Sequence, residues 1–75
     1  MELEDFIKKI AAQFDDTDAS EFNEDTDFKG LDEWSSLVAL SVIALVKTQY
    51  GKTITGKEIR SCKTVKDLYN FIESR

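Results

Sequence analysis

Leu3, Phe6, Ile7, Ile10, Ala11 and Phe14 recur at the spacing of one helical face, with Glu4, Lys8, Lys9 and Gln13 between them. That period predicts an amphipathic helix over roughly residues 2–14. From Asp15 to Ser35 the period is lost, and Asp, Glu, Thr, Ser and Asn surround four isolated apolar residues, Phe22, Phe28, Leu31 and Trp34. This segment reads as a long ordered loop pinned to the core by those four; connections of that length in a compact domain often carry function. A second helix is expected from the serine pair Ser35–Ser36 to about Tyr50, closed by Gly51, since glycine suits the left-handed residue that ends many helices. On a helical wheel Ala39, Val42, Ile43, Val46 and Tyr50 form the expected core stripe. Leu37, Leu40, Ser41, Ala44, Lys47 and Thr48 fall on another side, where Leu37, Leu40 and Ala44 either make an exposed apolar patch or lie beneath the loop.

Two further helix starts carry capping signatures. Thr55 with Glu58 opens a short helix to about Ser61, and Thr64 with Asp67 opens a last helix whose Val65, Leu68, Tyr69 and Ile72 share a face. The expected architecture is all-α: a small four-helix bundle of three longer helices and one short one, with the long loop between the first two. At 75 residues the whole chain, 1–75, reads as one domain near the lower size limit for a core without staples.

Charge and composition narrow the chemistry. The net charge of −5, with carboxylates concentrated in the first half, disfavours nucleic acid and anionic lipid and favours partners with basic patches. The apolar run Leu37–Val46 is interrupted by Ser41 and is too short to span a bilayer, and "MELEDF" lacks a basic flank; a soluble, cytoplasmic protein without stable membrane insertion is expected. Histidine is absent, which excludes a Ser–His–Asp triad, so a reactive serine here must be acted on by another protein. The single Cys62 can form no internal disulfide and reads as an inert thiol at a helix end. Asp16, Asp18 and Ser20 fit alternate positions of a calcium loop, but Glu21 stands where glycine is required and Asp27 where glutamate is, so no metal site is expected. Lys47, Lys52, Lys57 and Arg60 are spread too thinly to form a basic block.

The serine pair is the candidate site. A residue at the N-cap turns its side-chain oxygen back onto amides of the first turn, which occupies Ser35. Ser36, one step on, presents its hydroxyl outward at the positive end of the helix, where free N–H groups favour a phosphate ester.

Ser36-Leu37 at the start of the second helix, Phe28 and Leu31 before it, and Tyr50-Gly51, Ile54 and Thr64-Val65 behind it resemble the acyl carrier proteins over almost the whole chain. The resemblance implies that Ser36 carries a 4'-phosphopantetheine arm, placed there by a phosphopantetheinyl transferase, whose thiol holds acyl groups for acyl-loading and acyl-processing enzymes. The protein would itself catalyse nothing and would be a monomer. It further implies a partner surface of Leu37, Leu40, Ser41, Ala44 and Lys47 with Asp32 and Glu33, and an acyl-chain lining of Ile43, Val46, Tyr50, Ile54 and Leu68. Two departures stand out: Ser35 replaces the usual Asp before the attachment serine, and from Trp34 to Lys57 there is no carboxylate. They point to a specialised fatty-acid, polyketide or lipid pathway whose enzymes read an apolar surface. The alternatives are an aminoacyl or peptidyl carrier, whose Gly-Gly-His/Asp-Ser lead-in is absent from "GLDEWSSL", and an unmodified helical interaction module.

Overall fold

The computed structural model describes residues 2–75 and is all-helical among them: α1 (Leu3–Ala11), α2 (Ser36–Tyr50), α3 (Gly56–Ser61) and α4 (Val65–Glu73). α1 packs against α4 and α2 against α3. One continuous core joins Phe6 and Ile10 of α1, Val42 and Val46 of α2, Ile59 of α3, and Val65, Leu68 and Ile72 of α4, all essentially closed to solvent.

α1 is shorter than the apolar period suggests. After Ala11 the chain tightens into i→i+3 bonds, the amides of Gln13 and Phe14 donating to the carbonyls of Ile10 and Ala11 at 3.0 Å each. Asp15 and Asp16 follow directly, and carboxylates are unfavourable at the negative end of a helix. Phe14 nevertheless reaches the core from the tightened turn.

The loop between α1 and α2 is ordered as expected but holds two short 3₁₀ turns, Ala19–Glu21 and Phe28–Gly30. Phe22 and Phe28 are buried, and Leu31 and Trp34 pack half-buried against the core. An aromatic chain links them: Phe14 to Phe22 (centroids 5.0 Å apart), Phe14 to Trp34 (6.2 Å) and Phe28 edge-on to Trp34 (5.3 Å). The loop backbone also completes the fold. The carbonyls of Thr26 and Glu24 accept from the Val65 and Lys66 amides at 3.0 and 2.9 Å, filling first-turn donors of α4 that have no partner within the helix. The Lys29 ammonium donates to the Arg60 carbonyl at the end of α3 (2.6 Å), and that of Lys52 to the Ile72 carbonyl near the end of α4 (3.0 Å). Both place a cation where the helix dipole is negative.

The helix ends follow the sequence signatures. Ser35 caps α2, and Gly51 closes it in the left-handed conformation at φ 67°, donating its amide to the Lys47 carbonyl. Both capping boxes form reciprocally, Thr55 with Glu58 and Thr64 with Asp67.

The core face of α2 is rotated from the expected stripe. Val38, Val42, Leu45 and Val46 are buried, whereas Ala39, Ile43 and Tyr50 are only partly so. Between Leu37 and Val46 every residue but Ser41 is apolar, so the helix's own period selects no face and the surrounding elements decide. No helix among the described residues is long and apolar enough to cross a membrane.

Candidate functional site

The first turn of α2 is built around two hydroxyls with different fates. Ser35 is extended (φ −156°, ψ 172°), and its Oγ accepts from the Val38 amide at 3.3 Å. Its hydroxyl is thereby engaged within the chain. Ser36 occupies the first helical position and is exposed, and its hydroxyl makes no hydrogen bond among the described residues. The amides of Ser36 and Leu37 likewise have no partner there, and no acidic side chain sits in the first turn. The ingredients for holding an anionic ester are thus together: a free hydroxyl, unpaired amides, and the positive end of a fifteen-residue helix.

Beyond Ser36 the expected partner residues share one strip of α2. Leu37 is 74% exposed and Leu40 62%, the two large apolar side chains most open to solvent among the described residues. Ser41 is half-buried, while Ala44 and Lys47 are exposed. The exposed patch, rather than the arrangement beneath the loop, is therefore what the structure shows. Lys47 is the one charge on the helix.

Asp32 is exposed beside the site, but Glu33 is not available in the same way. Its carboxylate accepts from the Asp15 amide at 2.6 Å, the Asp16 amide at 3.0 Å and the Thr17 hydroxyl at 2.8 Å. Partial desolvation raises the pKa of this carboxyl, yet the Thr17 hydroxyl and the Asp16 and Asp15 amides favour its charged form and hold it below the ordinary value. An open concavity of about 590 Å³ lies against this segment, lined by Asp16, Thr17, Glu21, Gly30, Leu31, Asp32 and Glu33. From sequence alone Glu33 has only a surface role, because nothing in its neighbourhood along the chain announces partners 16 to 18 residues earlier.

Of the five expected acyl-lining residues, Val46, Ile54 and Leu68 are in the packed core, and Ile43 and Tyr50 are at its margin. Tyr50 stacks at a tilt on Phe6 (5.9 Å), which meets Tyr69 edge-on (5.6 Å). The Tyr50 hydroxyl is shielded from water, the Lys9 ammonium lies over its ring (5.2 Å to the centroid), and desolvation pushes its pKa up against the opposing pull of Lys9.

Cys62 is buried at the end of α3 with Sγ 3.5 Å from the Glu58 carbonyl, and burial raises its thiol pKa, which disfavours the reactive thiolate. Among the described residues no group of three or more His, Cys, Asp or Glu is placed to hold a metal ion.

No curated protein and no solved structure matches the chain. The family described as "Phosphopantetheine attachment site" does match, over residues 5–72, which takes in α2, α3, the serine pair and most of α1 and α4. The chain belongs to that family and is a carrier protein for the 4'-phosphopantetheine prosthetic group.

Proposed function

We propose that Ser36 is the attachment residue and that the protein carries acyl intermediates as thioesters between cytoplasmic enzymes of a specialised fatty-acid, polyketide or lipid pathway. The observation that carries the assignment is the contrast between the two hydroxyls. Ser35 Oγ is committed to the Val38 amide, whereas Ser36 is exposed and without a partner among the described residues.

The residues present fit a phosphate ester at Ser36. The unpaired amides of Ser36 and Leu37 can donate to phosphate oxygens, the helix dipole stabilises the negative charge, and no first-turn carboxylate opposes it. When attached, 4'-phosphopantetheine supplies a thiol on a flexible tether, which raises the effective concentration of a bound acyl group at each partner's active site. The protein's own part is to present Ser36 to a phosphopantetheinyl transferase, to hold the start of α2 still, and to offer its exposed strip to acyl-loading and acyl-processing enzymes. Ile43 and Tyr50, at the core margin, together with Val46, Ile54 and Leu68 behind them, would give a hydrophobic acyl chain shelter from water.

Acyl loading has a chemical signature. Protein incubated with a short acyl-coenzyme A and a broad-specificity transferase should gain the arm with its acyl group. Neutral hydroxylamine should then release the acyl group while the arm stays. Retention of the acyl group would mean that it is not held as a thioester.

The second strand of the proposal is that partners dock on the apolar strip of α2. Leu40→Asp or Ala44→Asp should weaken binding of a processing enzyme about tenfold or more, a charge being desolvated at an apolar contact, and should leave the thermal midpoint nearly unchanged because both positions are exposed. Raising salt should weaken binding only slightly, since exposed ion pairs are screened and apolar contacts are not. Unchanged affinity in both variants would place the docking surface elsewhere.

A further inference from the structure

Glu33 stands three residues before Ser36, and its carboxylate closes the loop on itself. The Asp15 and Asp16 amides and the Thr17 hydroxyl all donate to it, so that the chain leaving α1 and the chain approaching α2 are joined through one side chain. The next residue, Trp34, makes the apolar half of the same junction, stacked on Phe14 and edge-on to Phe28. Two adjacent residues, one polar and one aromatic, thus fix the chain immediately before the serine pair onto the segment 14–17. From there the cap of Ser35 and the buried Val38 continue into α2.

We propose that Glu33 is a positioning residue for Ser36, holding the start of α2 in the one orientation in which the transferase meets the serine hydroxyl. This rests on Ser36 being the attachment site. A transferase must bring the hydroxyl to within bonding distance of a phosphorus atom in line with the leaving group, and a displacement of about 1 Å at a reacting atom can cost about a hundredfold in rate. Without its carboxylate, residue 33 leaves the Asp15 and Asp16 amides to water, and the polar half of the junction with segment 14–17 is lost while the stacking of Trp34 on Phe14 remains. Leu40 and Ala44 of the partner strip lie one turn or more further along α2, in the part anchored by the buried Val42, Leu45 and Val46. Mispositioning therefore lowers turnover while docking stays intact.

Glu33 also sits among like charges. Asp16, Glu21 and Asp32 line the same concavity, Asp15 donates its amide to the clamp, and no Lys or Arg lines that concavity. The clamp works by hydrogen-bond donors against this local repulsion. Its folded pKa is depressed, so its contribution is present above the unfolded value of about 4.3 and is lost as pH falls through the folded value.

The test compares wild type, Glu33→Ala, Glu33→Gln, Thr17→Val and Ser36→Ala in two readouts. In transferase kinetics, Glu33→Ala should lower kcat about tenfold with KM for the carrier unchanged, and Glu33→Gln and Thr17→Val, which each remove only part of the clamp, should fall between it and wild type. A merely structural defect would deplete competent carrier and raise the apparent KM instead. The second readout is the fluorescence of Trp34, the only tryptophan. Wild type should show an acid transition below the ordinary glutamate range that Glu33→Gln lacks. Wild-type kcat in Glu33→Ala, a loss confined to KM, or superimposable acid titrations would overturn the role of Glu33. Loading of Ser36→Ala would instead overturn the site assignment, and the Trp34 titration would still report on the clamp.

Discussion

Phe28→Ala should lower the thermal midpoint by about 15–30 °C. Phe28 is fully buried although it comes from the loop, in the second 3₁₀ turn, and its ring meets the Trp34 indole edge-on. Removing a buried phenylalanine ring costs about 3–5 kcal/mol through lost transfer energy and the cavity left behind. A domain of this length has roughly 4–11 kcal/mol of total stability, and each kcal/mol moves the midpoint of so small a domain by about 4–8 °C. The substitution therefore removes a large share of the stability from a position outside every α-helix. Phe28→Leu, which keeps most of the apolar volume, should cost about 1.5 kcal/mol or less. Thermal melts followed by far-ultraviolet circular dichroism check both. A shift below about 5 °C for Phe28→Ala would show that the loop is an accessory to the fold and not one of its structural layers.

Ser36→Ala should abolish uptake of the phosphopantetheine arm while leaving the fold nearly unchanged, and Ser35→Ala should do the reverse. Ser36 is exposed at the first helical position, where alanine is the best helix former, so its loss costs the structure little. What would be lost is the oxygen proposed to form the ester, and the neighbouring Ser35 is the poorer substitute because its Oγ accepts from the Val38 amide. Ser35→Ala removes that cap at a cost of about 1 kcal/mol but keeps the nucleophilic hydroxyl, so it should still load, more slowly where the frayed helix start is harder to engage. Ser35→Asp keeps the capping oxygen and adds a charge beside the site. If the transferase reads a carboxylate there, this variant should load faster than wild type.

Much of this architecture could be read locally. The cap at Ser35, the left-handed Gly51 and the boxes of Thr55 with Glu58 and Thr64 with Asp67 each depend on side chains within a turn of one another, and all four form. Phe22 and Phe28 were recognisable as anchors because large aromatics among polar residues have few places to go but the core. The buried face of α2 was not recognisable. A helix that is apolar nearly all round offers no preferred side, and Val38 and Leu45 are buried because of what surrounds them. The end of α1 is hidden in the sequence for a related reason: Phe14 keeps the apolar spacing while the backbone beneath it has already tightened.

The site divides along the same line. That Ser35 caps the helix while Ser36 stays exposed could be read locally. Whether Leu37 and Leu40 would be covered depended on the path of the loop, and the structure leaves both open to solvent. Least legible was the wiring of the loop: the carbonyls of Glu24 and Thr26 on α4, the ammonium of Lys29 on α3, and the carboxylate of Glu33 on residues 15–17. These pair residues about sixteen or more positions apart, several through the backbone, and backbone partners carry no residue signature.

The central claim is that one serine of the pair carries the arm. Intact-protein mass spectrometry, with fragmentation to place the adduct, should be run on wild type, Ser35→Ala and Ser36→Ala after incubation with coenzyme A and a broad-specificity phosphopantetheinyl transferase. Wild type and Ser35→Ala should each gain a single phosphopantetheinyl group on Ser36, and folded Ser36→Ala should gain none. An adduct on Ser36→Ala, or none on folded wild type, would contradict the account.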